Sequence, residues 1–192
     1  MDEPRPPREM ILEQELAFAN AVGAGLFEKP KVDYWMILIP LLFLYFYYRL
    51  RKYKSGRLKF NQEFMSSRKL ALDLAVRALE TGEKPRDKDI IQWSGVSKAL
   101  EKPYAAWIKG LVDYYLELLA APGGTFEDLA RSAYRNQTEF LLSLNRLSAL
   151  ERDLYAAIKP NLTDLEGTGE IIALIEERSR TLRRDLAESI FA

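Results

Sequence analysis

The sequence predicts an all-α protein, in which a single-pass transmembrane helix is preceded by a short N-terminal amphipathic helix and followed by a cytoplasmic helical bundle. Three observations lead to this fold class: an uncharged apolar run, apolar residues at helical spacings through the rest of the chain, and breaks rich in Gly and Pro between these stretches. The predicted divisions are an N-terminal non-cytoplasmic segment with an interfacial helix (1–31), a transmembrane helix (32–50), a basic juxtamembrane segment (51–59) and a cytoplasmic helical bundle (60–192).

The apolar run is the strongest single signal in the chain. Its uncharged part covers 15 residues from Tyr34 to Tyr48, and the wider segment from Val32 to Leu50 has 19 residues. As a helix, the wider segment would measure about 28 Å, close to the thickness of about 30 Å of a bilayer's hydrocarbon core. A buried core helix of a soluble protein is the alternative. The aromatic residues predicted at the membrane interfaces are Tyr34, Trp35, Tyr45, Tyr47 and Tyr48.

Basic residues follow the apolar run at once. Residues 49–69 carry eight Lys and Arg against one Glu, whereas residues 1–30 carry three against six acidic residues. Because basic residues near a membrane span tend to stay in the cytoplasm, this asymmetry predicts an outside N-terminus and a cytoplasmic C-terminal domain, in a bacterial inner membrane. The cluster is either a binding surface for anionic lipid headgroups or a topology signal alone. It consists of Arg49, Arg51, Lys52, Lys54, Arg57 and Lys59.

Small residues recur along the N-terminal helix. Ala17, Ala21 and Gly25 are spaced by four and therefore share one stripe of a helix. Small side chains let helices approach closely within a membrane assembly, so we predict helix packing through this stripe. The alternative is a helix that lies flat on the outer surface of the bilayer.

Four helices are predicted after the membrane segment, over about residues 58–79, 103–121, 126–159 and 170–190. The third is the longest, and its apolar residues recur at intervals of seven, which is typical of a helix-packing seam. A short loop joins it to the fourth helix, so these two helices should pack antiparallel. The pattern leaves open whether the seam closes within one chain or between two. The seam residues are Phe126, Ala133, Phe140, Leu147 and Leu154.

The residue types present exclude several kinds of chemistry. The chain has no cysteine and no histidine. Their absence removes thiolate nucleophiles, Ser-His-Asp triads and the usual zinc and haem ligands. We therefore expect no catalytic residue, no metal and no cofactor. The 28 basic and 28 acidic residues balance, and residues 70–192 are acidic overall, so we expect no nucleic-acid partner.

Carboxylates and aromatic residues are the remaining candidates for a site. Of five candidate carboxylates, we interpret most as lying among arginines on solvated faces, rather than as a glycosidase pair or a metal site. Five aromatic residues either line a ligand cleft or, as we favour, pack in the core, with Tyr114 the most exposed of them. The two sets are Glu139, Glu151, Glu170, Glu176 and Glu177, and Trp93, Tyr104, Trp107, Tyr114 and Tyr115.

These patterns favour a non-enzymatic membrane-anchored adaptor, an accessory or assembly subunit that docks a protein at the cytoplasmic face of a membrane complex. The expected partners are membrane lipid and either another protein or a second copy of the chain, with the last two helices carrying the protein contact. A membrane-bound enzyme acting on a lipid or lipid-linked substrate is the first alternative. The second is a single-pass sensor or regulator that transmits its state through Ser55 and Gly56.

Overall fold

Helices account for most of the structure, a computed structural model that describes residues 5–27, 56–92, 94, 96–162 and 168–192. The all-α prediction is confirmed, and the later part of the chain is a helical bundle, as predicted. The helices are α1 (Pro7–Phe27), α2 (Gly56–Thr81), α3 (Asp87–Ile91), α4 (Glu101–Leu119), α5 (Phe126–Ala133), α6 (Gln137–Ile158) and α7 (Thr168–Phe191), with a 3-10 turn (Lys159–Leu162) directly after α6.

The five long helices form a closed ring. Going round it, α1 packs against α2, α2 against α4, α4 against α6, α6 against α7, and α7 back against α1. The short helix α3 packs on α4, while α5 contacts α4, α1 and α7 at one end of the ring. The centre is filled by large side chains with less than 2% of their surface exposed, including Trp107, Tyr115, Phe140 and Tyr155. All five ring helices therefore share one core.

The apolar seam of the third predicted helix closes within this chain. Phe140, Leu147 and Leu154 are buried on the inner side of α6, and Phe126 is buried on α5. Gly110 of α4 lets α6 come close, since a side chain at position 110 would collide with Leu150. The core contacts therefore show that the seam packs within one chain.

The prediction of one uninterrupted helix over residues 126–159 is wrong, because the chain breaks after α5. Tyr134 has extended backbone angles (φ −121°, ψ 133°), and Asn136 begins α6 as its N-cap. The Asn136 side chain accepts a hydrogen bond of 3.0 Å from the backbone N–H of Glu139, while the Glu139 carboxylate accepts one of 3.1 Å from the N–H of Arg135. These bonds satisfy N–H groups that a new helix leaves without intrahelical partners.

The N-terminal helix α1 belongs to the bundle. It packs against α2 and α7, which corrects the prediction of a separate N-terminal segment lying on or in a bilayer. The small residues buried on α1 are Ala19 and Gly23. Of the predicted stripe, Ala17 is exposed, Ala21 is half-buried, and the burial of Gly25 is not among the described features. The face of α1 that packs is therefore offset from the predicted stripe.

The predicted single-pass membrane localisation is contradicted on two grounds. Within the described ranges, no helix combines the length and the apolar character that crossing a bilayer demands. In addition, α1 and the later helices share one core, so the N-terminus and the bundle do not occupy opposite sides of a membrane. The predicted span 32–50 lies outside the described residues, with its interface aromatics and Arg49. So do Arg51, Lys52 and Lys54, as well as the side chains of Arg57 and Lys59.

Two adjacent glycines before α5 provide a matched test of the loop geometry. A Cβ atom at Gly123 would lie 2.8 Å from the backbone nitrogen of Leu129, whereas at Gly124 the nearest atom, Oδ2 of Asp128, is 3.9 Å away. Both changes to Ala remove similar backbone freedom from the unfolded chain, so that effect cancels. We expect Gly123→Ala to be less stable than Gly124→Ala by about 1–3 kcal/mol in urea denaturation. Equal stability of the two variants would contradict this account of the loop.

Candidate functional site: a buried charge network

Four charged side chains and one tyrosine form a network at the centre of the ring, with one member from each long helix. Its members, which we call the central network, are Glu15 of α1, Arg68 of α2, Tyr115 of α4, Glu151 of α6 and Arg183 of α7. Two carboxylates face two guanidinium groups, so the formal charge within it is zero. Buried charges are costly unless they are paired and hydrogen-bonded, which makes this the most unusual part of the molecule.

Arg68 is the hub of the central network. Its Nε donates to Oε2 of Glu15 at 2.8 Å, its Nη1 donates to the carbonyl oxygen of Phe64 at 3.1 Å, and its Nη2 lies 3.6 Å from Oε1 of Glu151. The guanidinium carbon is 3.6 Å from the centroid of the Phe64 ring, close enough for a cation–π interaction. Burial acts to lower the pKa of Arg68, but the carboxylates of Glu15 and Glu151 outweigh it and raise the pKa above its ordinary value. Arg68 therefore stays charged in the core.

The second ion pair joins α6 to α7. Nη1 of Arg183 donates to Oε2 of Glu151 at 2.8 Å and to Oγ of Ser148 at 2.7 Å. Glu151 is only 2% exposed and Arg183 only 6%. On the opposite side of the ring, the Tyr115 hydroxyl donates to Oε1 of Glu15 at 2.9 Å. Hydrogen bonds and ion pairs thus connect all five long helices.

The interpretation of Glu151 as a solvated carboxylate is wrong, and the sequence contains a signal that points inward. Glu151 follows Leu147 by four residues and precedes Leu154 by three, so it falls in the inward row of α6. In the same way, Arg68 lies four residues after Phe64 and four before Leu72, both of which are buried. A charged residue at a helical spacing within an apolar row is the pattern that sequence reasoning missed.

Some hydrogen-bonding capacity in this region is unused among the described residues. Oε1 of Glu151, the hydroxyl of Tyr155 and Oγ of Ser179 are buried and form no hydrogen bond there. Tyr155 lies one turn beyond Glu151 on α6, and Ser179 lies one turn before Arg183 on α7. These three groups lie close to the central network and add to the polar character of the bundle's centre.

The Glu151 and Arg183 pair also borders a cleft on the outside of the ring, between α6 and α7. The cleft has a volume of about 340 Å³. Three carboxylates and three guanidinium groups border it, so its chemistry suits a small polar ligand with both positive and negative groups better than an apolar one. The residues that line it are Asn145, Ser148, Ala149, Glu151, Arg152, Ala173, Glu176, Glu177, Arg180 and Arg183.

The structure places the other predicted site residues as follows. Tyr104, Trp107, Tyr114 and Tyr115 are core residues, as favoured from the sequence, but the expectation that Tyr114 is exposed is wrong, since only 5% of it is accessible. Glu139 caps the start of α6. Within the described ranges, no group of His, Cys, Asp and Glu side chains is arranged to hold a metal ion. Trp93 and the side chain of Glu170 lie outside the described residues; Glu176 and Glu177 line the cleft.

The central network is thus a structural link among all five ring helices. When the chain is compared with protein-family models, with curated proteins and with solved structures, none of the three comparisons finds a match.

Proposed function

We propose that this protein is a non-enzymatic helical adaptor that docks a protein partner through the outer face of α6. The observation that carries the proposal is the exposure of Leu142, on the second turn of α6. Its exposed fraction is 64%, the highest among the large apolar side chains of the described residues. An isolated exposed leucine is ordinary on a protein surface, so the argument depends on its setting.

Leu142 belongs to a row of small and weakly polar residues, and the charged residues Glu139 and Arg146 flank it at spacings of three and four. Thr138, Leu142, Asn145 and Ala149 follow one another at spacings of four, three and four, so they form one row along the helix. All four are exposed or half-buried. Small neighbours let a second helix approach closely, with Leu142 as the protruding apolar anchor. We call this row the α6 outer face.

The internal packing supports a docking role for this face. The apolar seam that was predicted to contact a partner is buried inside this chain. A partner would therefore have to contact the outer side of α6. The 22 residues of α6 give a continuous edge of about 33 Å. The central network holds α6 to its neighbours, and a scaffold of fixed geometry reduces the ordering cost of binding.

The test compares two exposed leucines in the full-length chain. Leu142→Asp places a charge in the α6 outer face, while Leu79→Asp makes the same change at an exposed leucine of α2 that is 52% accessible. We expect Leu142→Asp to reduce recovery of the co-purifying partner about tenfold or more, in affinity purification with crosslinking from the native cells. Leu79→Asp should retain the partner, and circular dichroism should show both variants folded.

Two outcomes would overturn parts of this proposal. If the Leu142→Asp chain captures the same partner at the native ratio, the docking surface lies elsewhere. If the native chain yields no stoichiometric protein partner under crosslinking, the adaptor function itself is contradicted.

A further inference from the structure

The cleft between α6 and α7, which we call the α6–α7 cleft, has one wall formed by a regular row of side chains on α7. Spacings of three, one and three place these residues on one face of the helix over two turns: Ala173, Glu176, Glu177 and Arg180. On the other wall, Ser148 and Ala149 of α6 have small side chains, which leaves open space between the helices. The volume of about 340 Å³ is within the range of roughly 300–1,000 Å³ that small-molecule sites have.

The rim of the cleft carries charges that the protein does not neutralise. Among the described residues, four of its charged side chains take part in neither ion pairs nor side-chain hydrogen bonds: Glu176, Glu177, Arg152 and Arg180. Two negative and two positive groups thus border one space, and their formal sum is zero. A ligand with one charge of each sign complements such a rim better than an anion or a cation alone.

Arg183 gives the cleft a buried pair of donors. Only 6% of Arg183 is exposed, and it borders the cleft. Its Nη1 donates to Glu151 and Ser148, whereas no hydrogen bond with the described residues uses its Nε or Nη2. Nε and Nη2 share one edge of the planar guanidinium group, and such an edge can donate to both oxygens of a carboxylate. A nearly buried side chain with two unused donors is a second, independent indication of a ligand here.

The order of the charges along α7 sets the length of the ligand. Glu176 and Glu177 precede Arg180 and Arg183 by about five residues, which is about 7.5 Å along the helix axis. Side chains of a helix lean in the same direction, so this offset carries over to their charged ends. Two residues of extended peptide measure about 7 Å. An α-amino acid, whose ammonium and carboxylate are attached to one carbon, is too short to reach both ends.

We propose that the α6–α7 cleft binds a short zwitterion whose ammonium and carboxylate lie about 7 Å apart, the class to which a dipeptide with free termini belongs. The carboxylate of the ligand binds Arg180 and Arg183. Its ammonium binds Glu176 and Glu177. One end of the ligand thus contacts the central network through Arg183, while the other end lies at the rim.

This site goes beyond the docking role of the α6 outer face and can be tested without it. Asn145 and Ala149 border both surfaces, but the charges that bind the ligand belong to α7. The Leu142→Asp variant leaves all of those charges in place. The docking proposal and the ligand proposal can therefore fail independently.

The first test titrates the full-length, isotope-labelled chain with L-alanyl-L-alanine and follows the backbone amide signals by nuclear magnetic resonance. We expect saturable shifts centred on residues 145–152 and 173–183. N-acetylation of the dipeptide removes its ammonium and amidation removes its carboxylate, so each blocked form should bind about tenfold more weakly. Alanine alone should also bind about tenfold more weakly, because it is too short.

Two results of this titration would overturn the proposal. One is that the dipeptide causes no saturable shifts around the cleft. The other is that acetate or a blocked dipeptide binds as tightly as the free dipeptide, since the cleft would then attract ions without recognising a zwitterion.

The second test uses charge-matched variants of α7. Arg180→Gln and Glu177→Gln each remove one proposed contact, and we expect each to weaken dipeptide binding about fivefold or more. Arg178→Gln and Asp185→Asn change the net charge by the same amounts at exposed positions of α7 outside the cleft, so these controls should bind as the native chain does. Circular dichroism should show all four variants folded.

The Glu177→Gln chain also tests the direction in which the ligand lies. Because the ammonium contact is weakened, the preference for the free dipeptide over its N-acetyl form should fall, while the preference over the amidated form persists. Equal losses in the two variants and their controls would indicate a general effect of charge. Unchanged affinity in Arg180→Gln and Glu177→Gln would place the ligand elsewhere, and either result would contradict the site.

Discussion

Removing Arg68 is expected to destabilise the fold more than any other single change in the central network. Arg68→Ala leaves Glu15 and Glu151 in the core without their shared cation and takes a guanidinium group away from the rings of Phe64 and Trp107. Loss of one partner from a buried ion pair costs about 3–5 kcal/mol. After this change Glu15 keeps only the hydrogen bond from the Tyr115 hydroxyl, and Glu151 keeps only the guanidinium group of Arg183. We expect a loss of that size in the free energy of unfolding, measured by urea denaturation with circular dichroism.

A surface arginine provides the matched control for this change. Arg8 forms a 2.7 Å ion pair with Asp73, but both side chains are about half exposed. Arg8→Ala should therefore change the free energy of unfolding by less than about 1 kcal/mol. If the two variants lose similar amounts, the central network contributes no more than a surface pair.

A fourfold replacement separates the cost of breaking the network from its net contribution. Apolar residues of similar size at the positions of Arg68, Glu15, Glu151 and Arg183 remove both ion pairs together, and such replacements in other proteins range from neutral to stabilising. We expect the fourfold variant to recover much of the stability that Arg68→Ala loses. Failure to recover would mean that the packing of these side chains, rather than the pairing of their charges, supports the core.

Alkaline pH is expected to unfold the protein cooperatively. All five tyrosines of the described residues are buried, and desolvation raises the pKa of each of them. Burial raises the pKa of Tyr104 from 10.0 to about 12. For Tyr114, Tyr115 and Tyr155 burial is again the largest cause, and a neighbouring carboxylate, Glu15 or Glu151, adds to it.

The direction of the pH effect follows from these raised pKa values. Below pH 10 tyrosine is protonated in both the folded and the unfolded chain, so the full stability is present. Above pH 10 the unfolded chain releases protons that the folded chain retains, and the free energy of unfolding falls. For Tyr104 alone, the loss approaches about 3 kcal/mol once the pH has risen through about 12.

Tyrosinate absorbance measured together with circular dichroism tests this expectation. The buried tyrosines should ionise in one step that coincides with the loss of helicity, at a pH clearly above 10. A native-helix signal that persists while all tyrosines titrate near pH 10 would contradict their burial. Tyr104→Phe removes one ionisable group without removing the ring, so it should shift the alkaline midpoint upward.

The sequence predicted the features that depend on local spacing. The inward row of α6 was expected from the seven-residue spacing of Phe140, Leu147 and Leu154, and the structure confirms it. The break between α5 and α6 was missed because apolar residues recur every seven positions on both sides of it. The only local sign was Asn136 with Glu139 three residues later.

The features that were missed depend on contacts between distant residues. Glu15 was grouped with an acidic N-terminal segment, yet its partners are Arg68 and Tyr115 in two later helices. Nothing near Glu151 in sequence identifies Arg183 or Arg68 as its counter-charge, so an inward carboxylate was interpreted as a solvated one. Because of the apolar run at 32–50, the N-terminal segment was predicted to be separate from the bundle. In the structure, α1 packs against the helices that follow this run.

The closed ring has a consequence for the order in which the protein folds. The Tyr115 hydroxyl and Glu15 are 100 residues apart, Arg68 and Glu15 are 53 apart, and α1, the first helix, packs against α7, the last. Synthesis from the N-terminus therefore produces α1 long before its final neighbour exists. Neighbouring helices such as α6 and α7 can pair early, but closure must wait for the end of the chain, so this protein should fold more slowly than a bundle built from sequential hairpins.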